Sequence, residues 1–288
     1  MKIGVIGSAG MFGKEVVSVL RDRGHLVSEY SLYDFEFQGR YTLGQEDIGK
    51  HDWIVNCAGY TDIDDAEINP TEAFEVNAIG TGKIARMCSS LKIKFLNVST
   101  DYVFDGEKTE PYTEEDLANP VNTYGMSKFI GETLGWKELP EILNVRTQSL
   151  YGLQGTSFVQ WVLDQVKEGK KELRIVSDRV SCPTNVRDLA EAVSILMEKD
   201  ITGVTVHVSS EGFCSLKELT EEILRLGDIK DVSVIHADVD AETGRVLRPK
   251  YTVLSKVLYK EKTGKEMPDW KDGLRRYFEE ARKSGIIV

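Results

Sequence analysis

Long apolar runs are missing from this 288-residue chain, and none approaches the length of a membrane span, so a helical membrane protein is not expected. The chain opens on a short apolar run, Met1-Lys-Ile-Gly-Val-Ile6, that reads as a core strand rather than as a charged and then apolar leader, which argues against a secretory signal. Cysteine is sparse. Its four copies, Cys57, Cys88, Cys182 and Cys214, are far apart, form no C-x-x-C and sit among apolar residues. That pattern excludes a disulfide scaffold and a thiolate metal centre, and it reads as reduced core thiols. Basic clusters are also lacking: 36 Lys and Arg against 47 Asp and Glu give a formal charge of −11, which repels nucleic acid and anionic membranes. No repeat or low-complexity tract is present. A cytoplasmic protein with neither nucleic-acid nor membrane partners is expected.

What is present suits a soluble α/β enzyme. The chain is 41% hydrophobic and 29% charged, enough for one large domain or one and a half. Apolar runs alternate with segments of helical period: Leu26–Tyr30, Trp53–Cys57, the helical stretch Thr71–Leu91, Ile93–Val98, a helix around residue 124, then Ile142–Val145. This alternation predicts a Rossmann-type, doubly wound parallel sheet over residues 1–152 as a dinucleotide-binding domain. From about Leu153 the strand candidates shorten (Leu173–Val176, Val204–Val208, Val232–His236) among helices such as Asn185–Glu198 and Leu216–Leu226. Residues 153–288 are therefore expected to form a smaller α/β substrate lobe, with segments that cross back to the first domain.

The first segment is followed at once by Gly7-Ser-Ala-Gly10-Met-Phe-Gly13 and a helical run, so the order is strand, glycine turn, helix. In such a turn Gly7 permits the tight bend, Gly10 the approach of a pyrophosphate to the backbone, and Gly13 close packing of helix on strand, with phosphate at the positive helix end. Met11 and Phe12 complete the candidate cofactor loop. Asn56-Cys57-Ala58-Gly59 and Ser99-Thr100-Asp101 end two further strands, and ligands of doubly wound sheets lie beyond such ends. Tyr124 and Lys128 are four apart on one helix face. Taken alone, the pair reads as an interfacial ring beside a solvated amine, and Thr100 as a hydroxyl satisfying a strand end. Together they surround one carbonyl with a phenol, an ammonium that lowers the phenol's pKa, and a hydroxyl donor.

These residues carry a resemblance. Beside the glycine turn stand Val76-Asn77-Ala78, Ser99-Thr-Asp-Tyr-Val-Phe-Asp-Gly106, Tyr124-Gly-Met-Ser-Lys128 with Gly131-Glu132, Arg146-Thr147, Tyr151-Gly152, Asp178 through Pro183-Thr184, Asp188-Leu-Ala190 and Arg248-Pro249. Over nearly its whole length the chain resembles the extended short-chain dehydrogenases/reductases, and within them the dTDP-4-dehydrorhamnose reductases. The resemblance implies reduction of the 4-keto group of a nucleotide-linked deoxysugar by NADPH or NADH. It implies that Tyr124 delivers the proton, that Lys128 also holds the nicotinamide ribose, and that Thr100 orients the carbonyl. Asn77 would support the cofactor side. Asp101, Tyr102 and the residue at 149 would border the sugar, and Arg248 would face the nucleotide diphosphate. A homodimer is compatible with the family.

The family's aromatic position is here Ser149, which removes a sugar-stacking platform, and Asp65 stands where a basic residue is common. Glu29-Tyr-Ser-Leu-Tyr-Asp34 offers no cation before Arg40, which favours NADH with Asp34 on the ribose, yet the family uses both cofactors and both remain candidates. Some relatives hold a divalent metal at a subunit contact, where Glu15 and Glu191 would fall. Here they read as solvated helix carboxylates, and no metal is expected. Two alternatives stay open: another nucleotide-sugar epimerase or ketoreductase, or a non-catalytic regulatory subunit like the β subunit of methionine adenosyltransferase.

Overall fold

The computed structural model describes residues 1–31, 48–237 and 246–286. The first half runs β1 (Lys2–Ile6), α1 (Met11–Asp22), β2 (Leu26–Tyr30), β3 (Trp53–Asn56), α2 (Ile63–Ile68), α3 (Pro70–Phe74), α4 (Thr81–Leu91), β4 (Lys94–Thr100), α5 (Thr123–Glu138) and β5 (Leu143–Thr147). The second half runs β6 (Leu150–Tyr151), α6 (Phe158–Lys167), β7 (Glu172–Val176), β8 (Val180–Ser181), β9 (Thr184–Asn185), α7 (Val186–Glu198), β10 (Val204–His207), β11 (Cys214–Ser215), α8 (Leu216–Leu226), β12 (Ser233–Ala237), α9 (Val257–Thr263) and α10 (Trp270–Lys283).

Six parallel strands form the main sheet in the order β10-β5-β4-β3-β1-β2. Strand alternation explains its two cores. Ile3, Val5, Val55, Leu96 and Val145 face α1 and α7, whereas Ile6, Ile54 and Phe95 face Ile84, Ala85 and Cys88 of α4. The order reverses between β1 and β3, which opens a crevice at their carboxyl ends.

Helices begin where side chains cap them. Asn122 accepts from the Gly125 N–H at 2.8 Å to start α5, and Ser215 with Glu218 forms a capping box on α8. A third core joins α6, β7, α8 and α10 around Val162, Leu173, Ile223, Leu274 and Phe278, with β7 and β12 paired in parallel. The chain also crosses back from this region. Val204–His207, read from sequence among the strands of the second lobe, extends the main sheet beside β5, and α7 packs on α1. Long-range parallel pairing leaves no local sequence signal, which is why the strand was legible but its sheet was not.

The expected helix Thr71–Leu91 is present with an interruption. Between α3 and α4, residues Glu75–Gly80 form a π-helical turn containing Asn77. Among the described residues no helix is long and apolar enough to cross a membrane, and all four cysteines are free.

Candidate active site

The glycine turn is shaped by steric exclusion. Gly7 has φ +77°, and a Cβ there would lie 2.6 Å from the Ala58 nitrogen. At Gly13 a Cβ would fall 2.1 Å from the Gly7 carbonyl oxygen, so the helix can sit this close only on glycine. Gly10 differs: its Cβ would meet only the Gly7 oxygen, at 3.3 Å, leaving the outward side open. It is the N-cap of α1, and no side chain caps that helix end. An open, uncapped N-terminus of a 12-residue helix suits a dinucleotide phosphate, so these residues fit the cofactor that the sequence implies. Phe12 turns its ring into the core, which leaves its backbone alone for a ligand, and Met11 lies where Cβ atoms on Gly152 or Gly155 would touch it. Asp34 and Arg40 fall outside the described residues.

Against the glycine turn, β3 runs out into Cys57, Ala58 and Gly59. The Ala58 N–H donates to Asn56 Oδ1 at 3.2 Å, and a Cβ on Gly59 would lie 3.8 Å from Lys128 Nζ and 3.3 Å from Asn77 Oδ1. Asn77 is buried and pinned from three sides: it accepts from the Tyr60 N–H at 2.9 Å, and its Nδ2 donates to the Tyr60 carbonyl at 3.0 Å and to Ser127 Oγ at 2.9 Å. Neighbouring strands carry matching amides. Asn56 Nδ2 donates to Asn97 Oδ1 and Asn97 Nδ2 to Asn144 Oδ1, both at 3.0 Å, tying β3, β4 and β5 together below the crevice.

Helix α5 brings Tyr124 and Lys128 over the end of β4. Its first turn is held by Glu67, which accepts from the Thr123 N–H at 2.6 Å and hydroxyl at 2.7 Å, and by Gly125, where a Cβ would strike the Tyr102 carbonyl at 2.1 Å. Lys128 Nζ donates to the Val98 carbonyl at 2.6 Å. Burial lowers its pKa to about 8, against the opposing influence of Glu132 and Cys57. The ammonium was expected to lower the Tyr124 pKa. Instead, burial raises that pKa above the ordinary phenol range, with Thr100 opposing through a hydrogen bond and Asp101 and Tyr102 adding to the rise. The phenol is therefore held protonated, as a proton donor requires.

Thr100 ends β4 beside Thr147 of β5, so residues just past both strands share this rim. Its hydroxyl donates to Asp101 Oδ1 at 3.1 Å and accepts from the Tyr102 N–H at 3.2 Å. Asp101 is only 2% exposed and lies behind Thr100 rather than along the open rim. Tyr102 stacks edge-on against Tyr124, with ring centroids 5.7 Å apart, and burial raises its pKa to about 12 while Arg248 and Arg179 pull it down. Arg248 is ion-paired with Asp64 at 2.6 Å, so a diphosphate would share it with that carboxylate. Ser149 is exposed, with φ +48°, and its Oγ lies 2.7 Å from Ser181 Oγ. Asp65 accepts from the Tyr60 hydroxyl and from Asn69 Nδ2, which removes it from the rim as a lone charge.

The buried ion pair Glu132–Arg146 was not assigned a role from sequence. Glu132 accepts two bonds from Arg146, at 2.9 and 2.7 Å, and its charge favours the Lys128 ammonium. Its position four residues after Lys128 on the same helix was the available signal. Glu15 and Glu191 each meet an arginine, Arg187 at 3.6 Å and Arg23 at 3.0 Å. Among the described residues no group of three or more His, Cys, Asp or Glu is placed to hold a metal.

A parallel doubly wound sheet, a glycine turn at its reversal point and a Tyr/Lys helix beside a strand-end threonine define the class, an extended short-chain dehydrogenase/reductase. The chain belongs to the family described as RmlD substrate binding domain, whose profile matches residues 1–283. It is 32% identical over 281 residues to the spore coat polysaccharide biosynthesis protein SpsK of Bacillus subtilis, covering 97% of each chain. A crystal structure of a dTDP-4-dehydrorhamnose reductase from Clostridium acetobutylicum matches with a TM-score of 0.89 and 32% identity, over 98% of this chain and 100% of that one. The Bacillus anthracis dTDP-4-dehydrorhamnose reductase in complex with NADP matches with a TM-score of 0.89 and 29% identity, over 97% and 99% of the two chains.

Proposed function

We propose that this chain uses NADPH or NADH to reduce the 4-keto group of a nucleotide-linked deoxysugar, converting dTDP-4-dehydrorhamnose to dTDP-L-rhamnose. The observation that carries the reading is the convergence of Thr100, Tyr124 and Lys128 on one strand end, facing the glycine turn across the crevice. Reductases of that name among the similar solved structures, one holding NADP, support it. When bound, the reduced nicotinamide supplies a hydride.

The remaining work falls to the chain. Gly10, whose own N–H is spent on the Gly7 carbonyl, leaves the approach open, and the backbone N–H groups of Met11, Phe12 and Gly13 receive the pyrophosphate at the α1 terminus. Ala58 and Gly59, which lack bulky side chains, and Cys57 line the cofactor's path beside Asn77. Lys128 spends one proton on the Val98 carbonyl and has two left for ribose hydroxyls. Tyr124 carries its phenolic proton to the sugar oxygen, and Thr100 fixes the direction in which it points. Tyr102, Ser149 and Arg248 border the sugar nucleotide, with Asp101 behind them. Residues 1–152, joined by α7 and β10, form the dinucleotide-binding domain, and the rest of 153–288 forms the substrate lobe. A homodimer in the cytoplasm completes the reading, and the four free thiols suit a reducing compartment.

The test is oxidation of NADPH and of NADH by the purified protein with dTDP-4-dehydrorhamnose, together with light scattering for the dimer. Turnover supports the assignment. Tight cofactor binding without oxidation by this or any other 4-keto nucleotide sugar would sink it in favour of a regulatory role.

A further inference from the structure

Arg248 stands in a chain segment, 246–254, whose later part is fastened to the rim beside β8 and the loop after β4. The Val180 N–H donates to the Lys250 carbonyl at 2.7 Å, the Thr252 N–H to the Val180 carbonyl at 3.0 Å and the Tyr251 N–H to the Gly106 carbonyl at 3.3 Å. Pro249 is packed so closely there that a Cβ on Gly106 would lie 2.5 Å from it. The earlier part is fastened elsewhere. The Leu247 carbonyl accepts from Asn122 Nδ2 at 2.9 Å, and Arg248 pairs with Asp64 of α2. Asn122 is the residue that opens the helix carrying Tyr124.

The Asn122 amide is used at both ends. It is 7% exposed; its Oδ1 accepts the Gly125 N–H at 2.8 Å, which starts α5, while its Nδ2 reaches across 125 residues of sequence to Leu247. Tyr124 and Arg248 therefore follow directly after the two ends of one hydrogen bond. The α5 end of that tether is itself fixed, because Glu67 accepts from the Thr123 N–H at 2.6 Å and from its hydroxyl at 2.7 Å. Asp64 competes with an incoming diphosphate for the Arg248 guanidinium, whereas the Asn122 bond is a link that the ligand does not contest.

We propose that Asn122 is a positioning residue that sets the span between the Tyr124 phenol and the Arg248 guanidinium, and with it which substrates can engage both at once. The inference rests on the reductase reading above. A nucleoside diphosphate sugar carries its keto oxygen on one side of a pyranose ring and its diphosphate on another, so covalent geometry fixes its reach. Gripping both ends speeds the reaction only when the span of the protein matches, since a misplacement of about 1 Å can cost on the order of 100-fold in rate. Stability is the lesser part of the role. Leu247 is 72% exposed, which lets water replace a lost amide at its carbonyl with little penalty.

Asn122→Ser tests the tether, because a serine still caps α5 but is too short to reach Leu247. It should melt a little below the parent, bind cofactor as the parent does, and lose about tenfold or more in single-turnover hydride transfer at saturating dTDP-4-dehydrorhamnose. Asn122→Asp, which keeps the cap but has no proton for the Leu247 carbonyl, should lose as much. A double-mutant cycle supplies a readout that a purely structural role would not move: in an Arg248→Ala background, Asn122→Ser should change the rate by less than about twofold, because the span has lost its other end. The proposal is overturned by a parental rate in Asn122→Ser, by a change confined to KM, or by losses that multiply in the cycle. Failure of both Asn122 variants to fold overturns it too, since Asn122 would then be a structural cap. A parent that reduces no 4-keto nucleotide sugar defeats the functional reading as a whole; an active parent with any of those results defeats this inference alone.

Discussion

The two walls of the crevice solve the same problem, holding a ligand in one orientation, by opposite means. The wall at β1 and β3 is made of backbone: it depends on the absence of Cβ atoms at Gly7 and Gly13 and on an uncapped helix end. The wall at β4 and α5 is made of buried side chains, Thr100, Asp101, Asn77, Lys128, Glu132 and Arg146, each with polar partners. The first therefore fails by collision and the second by leaving a polar group stranded, since a buried charge or hydrogen-bonding group without a partner is costly.

Substitutions on the two walls should separate these modes, beginning with the largest effect. Gly13→Val places side-chain atoms against the Gly7 carbonyl, where neither partner can move without opening the β1–α1 turn, and should prevent stable folding, read as loss of a cooperative thermal transition. Gly10→Val, whose first carbon would press on the Gly7 oxygen at 3.3 Å but otherwise point into open space, should melt only a little below the parent yet bind no cofactor in a fluorescence titration; unchanged affinity in the folded variant would show that the phosphate site lies elsewhere. On the opposite wall, Glu132→Leu strands the Arg146 guanidinium and should cost about 3–5 kcal/mol in urea denaturation. A loss under 1 kcal/mol would mean that water reaches this pair. Tyr124→Phe should leave cofactor binding intact and reduce single-turnover hydride transfer by roughly 100-fold or more; reduction at the parent rate would remove the phenol from the mechanism. The smallest effect belongs to the rim. Asp64→Asn releases Arg248 from a half-exposed pair and should tighten nucleotide-sugar binding by less than about 1 kcal/mol, seen in KM with little change in kcat.

The backbone wall was the more legible of the two. Its signal is local, a strand, a glycine triplet and a helix in direct succession, and the strands β1 to β5 lie within a residue or two of where the apolar runs placed them. Of the side-chain wall, sequence supplied Tyr124 and Lys128 through their four-residue spacing but missed what surrounds them. Asn97 and Asn144 interrupt apolar runs and join only when β4 and β5 come into register. The pairing of Arg248 with Asp64 spans residues far apart in the chain. The rise of the Tyr124 pKa depends on burial, which a pair of residues on a helix does not reveal.

The π-helical turn at Glu75–Gly80 has a further consequence for how this helix tolerates change. An α-helix turns about 100° per residue, so a turn that holds an extra residue acts as an insertion and rotates everything after it. Ile84, Ala85 and Cys88 reach the core only with that added rotation, while Ala73 before it is buried on the frame of α3. The Asn77 carbonyl, set at the middle of the turn, accepts from the Thr81 hydroxyl at 2.8 Å. Ile79 is 45% exposed, so replacing it should be mild, whereas deleting it would swing α4 out of phase and carry its apolar stripe away from β3 and β4. Along this stretch the count of residues is under tighter constraint than their identity.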